Sequence, residues 1–249
     1  MEGKKVNLAS LKSTHGSMKF MKHNGVIKKQ VRELLLQKDY TRLVDLCTKH
    51  KPFWRELKFS LYDIDKRIKW PAIEAVGKLM KHWWEQGDKE RVREYIRNLF
   101  WSMNDESGGI GWSSPQAIAE IIVDIPELID PYGNMMVAHS LEEPFFIKGG
   151  LWGIGRLGRQ IIEAVDFFRD KVIASFNRDD AETLGLAAWA TGEAGFKPAL
   201  IFLEKLSVRT DPVCIYIEGD FKEKTLGEWA KEAIDKIEKW LKINESLII

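Results

Sequence analysis

Cysteine and histidine are scarce in this chain. Two cysteines in 249 residues, Cys47 and Cys214, cannot build a disulfide framework, so free, partly buried thiols in a reducing cytoplasm are expected. The five histidines stand at 15, 23, 50, 82 and 139, and Cys47-x-x-His50 is the one close pair of metal-ligand types. Such a lone pair on a helix is more often core and surface than ligands, so no metal site is expected. No run approaches the ~18 apolar residues of a membrane helix, and no apolar signal-peptide core follows the N-terminus. Membrane insertion is therefore not expected, and a cytoplasmic location is. A Gly-x-Ser-x-Gly nucleophile motif is also missing.

What remains is a globular composition, 45% hydrophobic and 30% charged. A chain of this length buries roughly 70–75% of its unfolded surface. Ten Trp are many for this length; rings of this size belong first to cores and interfaces. The net charge of +1 conceals an asymmetry. Residues 1–32 carry eight Lys or Arg against Glu2 alone, which leaves 30 basic and 36 acidic residues in the remainder. A basic arm, 1–23, thus precedes an acidic body. The arm can touch nucleic acid or anionic lipid, or remain solvated, or fold over its own body.

From Asn24, a candidate N-cap, apolar residues recur at helical spacing: Val26, Ile27, Val31, Leu34 and Leu35. Short helices follow at about 41–49 and 52–64. Then comes Asp65-Lys66-Arg67-Ile68-Lys69-Trp70-Pro71-Ala72-Ile73-Glu74-Ala75-Val76-Gly77-Lys78-Leu79. Its frame of small-x-small-x-apolar residues, Ala75-x-Gly77-x-Leu79, returns as Ala117-x-Ala119-x-Ile121, Gly153-x-Gly155-x-Leu157 and Ala190-x-Gly192-x-Ala194. A fifth copy starts at Ala230, with Glu232 where the second small residue should be. The intervals are 42, 36, 37 and 40 residues. Paired small residues let a neighbouring helix approach, and a polar residue suits a last repeat that no neighbour covers. First helices are expected between the anchors, at about 88–103, 126–141, 159–176 and 197–207, and an amphipathic last helix at about 223–243. Val213–Ile217 is β-prone and reads as an extended connection.

The segment 65–79 resembles the second helix of a HEAT repeat, a stacked pair of antiparallel helices of about 40–47 residues. The resemblance covers about residues 65–240. Asn104-Asp105-Glu106-Ser107-Gly108-Gly109-Ile110-Gly111-Trp112 resembles a loop of prokaryotic HEAT-like proteins related to the phycobilin-lyase repeats. It joins the two helices of one repeat, and its glycines, acids and Trp suit either contacts to a partner or helix capping.

Equivalent positions carry two further patterns. The residue after the second small one is Lys78, Glu120, Arg156 and Glu193, alternating in sign, which fits a ladder of ion pairs between second helices roughly 10 Å apart. The residue before the anchor is Glu74, Gln116, Trp152, Trp189 and Trp229. Three indoles in one row make either an aromatic groove or a seam of core. Gly153-x-Gly155-x-x-Gly158 also has the spacing of a dinucleotide-binding turn. However, Lys148, Gly149 and Gly150 make a poor buried strand before it, and the acid role would fall to Asp179 after 171–176.

The expected fold is all-α, a right-handed α-α superhelix (HEAT/ARM-like solenoid) of about five helix pairs. The arm 1–23 precedes a single repeat domain, 24–249. The expected function is a non-enzymatic scaffold that binds a protein partner through its inner helical face and the 104–112 loop, without a cofactor. The candidate residues are Asn104, Asp105, Glu106, Trp112, Trp152, Arg156, Trp189 and Glu193. The alternatives are an enzyme or a cofactor or nucleic-acid handler on the same scaffold, resembling a lyase or a HEAT-like DNA glycosylase, and then a dinucleotide-binding protein. The acidic body opposes phosphate binding.

Overall fold

A computed structural model describes residues 25–104 and 111–246, with side chains described through 243. Asn24 lies outside them. The chain divides into two compact units, one up to Ala75 and one from Val76.

In the first unit a helix over 25–37 (α1) is followed by α2 (Tyr40–Lys49), α3 (Lys51–Ser60) and the opening of α4 (Lys66–Glu85). Apolar periodicity sets the core: Val31, Leu35, Leu43, Leu57 and Ile68 are fully or almost fully buried. Asp39 caps α2 by accepting from the Arg42 amide at 3.1 Å, and Pro52 opens α3. Arg32 pairs with Asp63, and the Tyr40 hydroxyl donates to Glu74. Cys47 is buried, and burial pushes its thiol up to about 12. Cys214, in the second unit, is exposed.

The second unit continues from α4 through α5 (Lys89–Trp101), α6 (Ser114–Asp124), α7 (Ile129–Glu142), α8 (Ile147–Leu157), α9 (Ile162–Phe167), α10 (Arg169–Ala174), α11 (Ala181–Ala194), α12 (Leu200–Leu206) and α13 (Leu226–Ser246). The first helix expected at 159–176 is divided: a 3-10 turn at Gly158–Ile161 precedes α9 and α10. Between these, Phe168 leaves helical geometry and Arg169 turns back to pair with Asp166 at 2.8 Å. Second helices pack in series, α6 on α8, α8 on α11, α11 on α13, while α5, α7 and α12 each pack on the second helix that follows. Neighbour-to-neighbour packing of this kind is a helical solenoid, and the fold is all-α apart from one hairpin among the described residues.

The recurring small residues explain the series. A Cβ on Gly77 would lie 3.2 Å from the Glu120 carbonyl of α6, one on Gly155 2.5 Å from the Trp189 ring of α11, and one on Gly192 2.6 Å from the Ala233 Cα of α13. The second small position of each frame therefore faces the next second helix. Glycine in a helix costs about 1 kcal/mol relative to alanine, and the close packing of whole helices offsets that cost.

The same geometry rules out the dinucleotide turn. Gly153 and Gly155 lie within α8, and Gly158, at φ +56°, ends it. A phosphate cradle needs the amide-rich, positive start of a helix after a strand. These glycines instead run toward the carbonyl-rich end, and residues 171–174 are helical.

Pro212–Ile217 (β1) and Asp220–Thr225 (β2) form an antiparallel hairpin, where the sequence suggested only an extended connection. Its turn places Glu218 at φ +50° and Gly219 at φ +83°, the pair of left-handed residues that a tight hairpin turn requires. Thr225 and Glu228 then start α13 with a reciprocal cap: the Thr225 amide donates to the Glu228 carboxylate at 2.7 Å, and the Glu228 amide to the Thr225 hydroxyl at 3.2 Å. No helix among the described residues is long and apolar enough to cross a membrane.

Candidate functional site

The row of indoles is closed. Trp152 is 3% exposed and Trp229 2%, and Trp189 is also buried. Trp152 and Trp189 meet at 6.4 Å between ring centroids. The hairpin lies over the row. Trp152 Nε1 donates to the Tyr216 carbonyl at 2.7 Å, and Trp229 Nε1 to the Val213 carbonyl at 3.2 Å. Val213 also packs where a Cβ on Gly185 of α11 would be. Lys224 of β2 stands 4.4 Å from the Trp229 ring centre and pairs with Glu232 at 2.5 Å, so the polar residue of the last frame serves the hairpin. Val213, Ile215 and Tyr216 are all buried by this docking. At about 1.5–3 kcal/mol per apolar side chain and about 1 kcal/mol per indole hydrogen bond, a ligand would have to displace several kcal/mol of native packing to reach these rings. The row is a seam of core.

The alternating charges form pairs between successive second helices, with a stagger. Arg156 grips Glu120 with two nitrogens, at 2.9 and 3.2 Å, and Glu120 is buried. Lys78 is paired with Asp124, one turn beyond Glu120, at 2.6 Å. Glu193 accepts from Lys236 of α13 and, at 3.0 Å, from Trp189 Nε1. The bidentate Arg156–Glu120 pair leaves Arg156 partly exposed but already engaged, so it fixes helix register more than it offers a free charge.

A different arrangement stands at the entrance to α6. The described ends of the 104–112 loop are tied together: the Gly111 amide donates to the Ser102 carbonyl at 3.0 Å, and the Ser102 and Ser114 hydroxyls lie 2.8 Å apart. A side chain at Gly111 would collide with both hydroxyls. From this pinned base Trp112 points outward, 54% exposed, and its ring meets Phe145 edge to face, with centroids 5.7 Å apart and planes at 82°. Phe145 is 56% exposed, while its neighbour Phe146 is buried. The Phe146 amide donates to the Glu143 carbonyl at 2.9 Å, which holds Glu143, Pro144 and Phe145 in one turn before α8. Asn104 is exposed at the near end of the loop, and Asp105 and Glu106 lie outside the described residues.

The sequence candidates thus separate. Trp152 and Trp189 belong to the seam, Arg156 and Glu193 to the charge pairs, and Trp112 to the surface. Phe145 was not among them, although Pro144-Phe145-Phe146 just ahead of α8 carries a signal: two consecutive aromatics at a helix entrance cannot both face one core. Among the described residues no three of His, Cys, Asp or Glu are grouped to hold a metal, and His50 lies against Phe53 at the α2–α3 junction.

No protein-family model matches the chain. It is 31% identical over 116 residues to an "Uncharacterized protein" of Archaeoglobus fulgidus, a match spanning 45% of this chain and 60% of that protein. Among solved structures it is similar to a designed armadillo repeat protein in complex with the peptide (KR)4, with a TM-score of 0.49, 17% identity, and coverage of 87% of this chain and 90% of the other.

Proposed function

We propose that this protein is a non-enzymatic, HEAT-like repeat scaffold that binds a protein partner through the surface built on Trp112, Phe145 and the 104–112 loop. The observation that carries the reading is the exposed edge-to-face pair itself. Two large rings are held about half in water on a base that is hydrogen-bonded and sterically fixed. Aromatic residues on a rigid support are the usual anchors of protein interfaces, because they bury large area while losing little conformational freedom. Solenoids suit this role, since stacking supplies the stability and leaves the loops free to vary. The inner helical face takes a supporting part in this reading, and the frame charges Lys78, Glu120, Arg156 and Glu193 are already paired.

The test is affinity purification of the tagged protein from its native cells, side by side with Trp112→Ala and Phe145→Ala. Partners recovered with the wild type should be lost with either variant while the thermal midpoint stays unchanged. Undiminished recovery with both folded variants would sink the proposal.

A further inference from the structure

We infer that the Trp112–Phe145 surface takes a basic segment of the partner, with an arginine side chain stacked on Trp112 and paired with Glu143. The inference rests on the protein-binding reading above and names the chemistry of the segment. With planes at 82° the rings touch edge to face, so neither covers the π-face of the other fully, and each stays about half exposed. The residues leading into them include exposed polar ones: Glu142 and Glu143 just before Phe145, and Asn104 at the near end of the loop that leads to Trp112. A purely apolar segment would find two rings and then carboxylates.

Two acids, Glu142 and Glu143, precede Phe145, and one base, Lys148, follows it. Glu142 is paired with Lys171 at 2.7 Å, and that hydrogen bond holds its carboxyl below the ordinary range, so it stays ionised. Lys148, on the first turn of α8, faces two carboxylates, Asp180 at 3.0 Å and Glu182 at 2.6 Å. Lys148 and Lys171 are thus already engaged by three carboxylates, whereas Glu143, in the same turn as Phe145, has no ion pair among the described residues. A negative ring face next to a free carboxylate is complementary to a guanidinium, which stacks flat and donates sideways at the same time. The same charges repel acidic segments and nucleic-acid phosphates.

The test uses the full chain and two fluorescein-labelled peptides, Gly-Arg-Gly-Arg-Gly-Arg-Gly and its counterpart with Glu for Arg, followed by anisotropy at 50 and 200 mM NaCl. The arginine peptide should bind more weakly at the higher salt, and the glutamate peptide should not bind. Trp112→Leu, which keeps apolar bulk without an indole face, and Glu143→Lys should each weaken binding at least fivefold. Glu238→Lys, on exposed α13 surface, should change it less than twofold. Unchanged binding in both Trp112→Leu and Glu143→Lys, equal binding of the glutamate peptide, or no binding of the arginine peptide overturns the inference. If any of these occurs while the Trp112-dependent partner is still recovered from cells, the basic-segment chemistry fails and the scaffold reading stands. If recovery is also independent of Trp112, both fail.

Discussion

Two groups of aromatic residues in the second unit have opposite fates. Trp152, Trp189 and Trp229 occupy one helical position in three successive repeats and are buried under a hairpin, two of them donating to its main chain. Trp112 and Phe145 come from a loop end and a turn, share no repeat position, and stand half in water. The regular set looks like a binding row and serves as core, whereas the irregular pair stands at the surface. Recurrence in a solenoid marks what every repeat needs, which is packing against its neighbours. A site for a particular partner is more readily built where the repeat pattern is broken.

Substitutions break this comparison in a definite order. Trp229→Ala should destabilise the protein most, by about 3–5 kcal/mol, because it removes a buried ring and the donor to the Val213 carbonyl. Urea unfolding followed by circular dichroism reads this directly, and a loss below about 1 kcal/mol would mean that the hairpin is not docked as described. Gly192→Ala comes next. Alanine gains about 1 kcal/mol in helix propensity, but its Cβ would meet the backbone of Ala233 at 2.6 Å. That backbone cannot swing aside as a side chain would, so overpacking by about 1–3 kcal/mol wins. A higher unfolding midpoint for this variant would refute the close-approach account of the frame. Trp112→Ala should be the mildest, within about 0.5 kcal/mol of wild type, since much of the ring is in water already. If it matched Trp229→Ala in cost, the distinction between seam and surface would collapse.

Much of the fold is legible along the chain because its signals are local or periodic. The small-x-small frame placed α4, α6, α8, α11 and α13 in register, and the row of residues before each anchor correctly aligned the indoles. Alternating charges pointed to ion pairs between second helices, but not to their stagger. Lys78 reaches Asp124 instead of Glu120 because the axial offset of two packed helices is set by all their contacts together. The candidate site was legible in part. Trp112 stands out beside its glycines, whereas Phe145 becomes its partner only through a contact 33 residues away.

The sequence by itself determined that the chain repeats, which helix faces are small enough to touch, and where the tryptophans fall along each helix. Those facts follow from side-chain size and a period of 3.6 residues. Tertiary structure decided which tryptophans meet water. The strand at Pro212–Ile217 supplies carbonyls to indoles 64 and 16 residues away, and nothing in its local pattern says where it will dock. Whether an aromatic row becomes a groove or a core depends on what covers it, and that cover comes from distant chain.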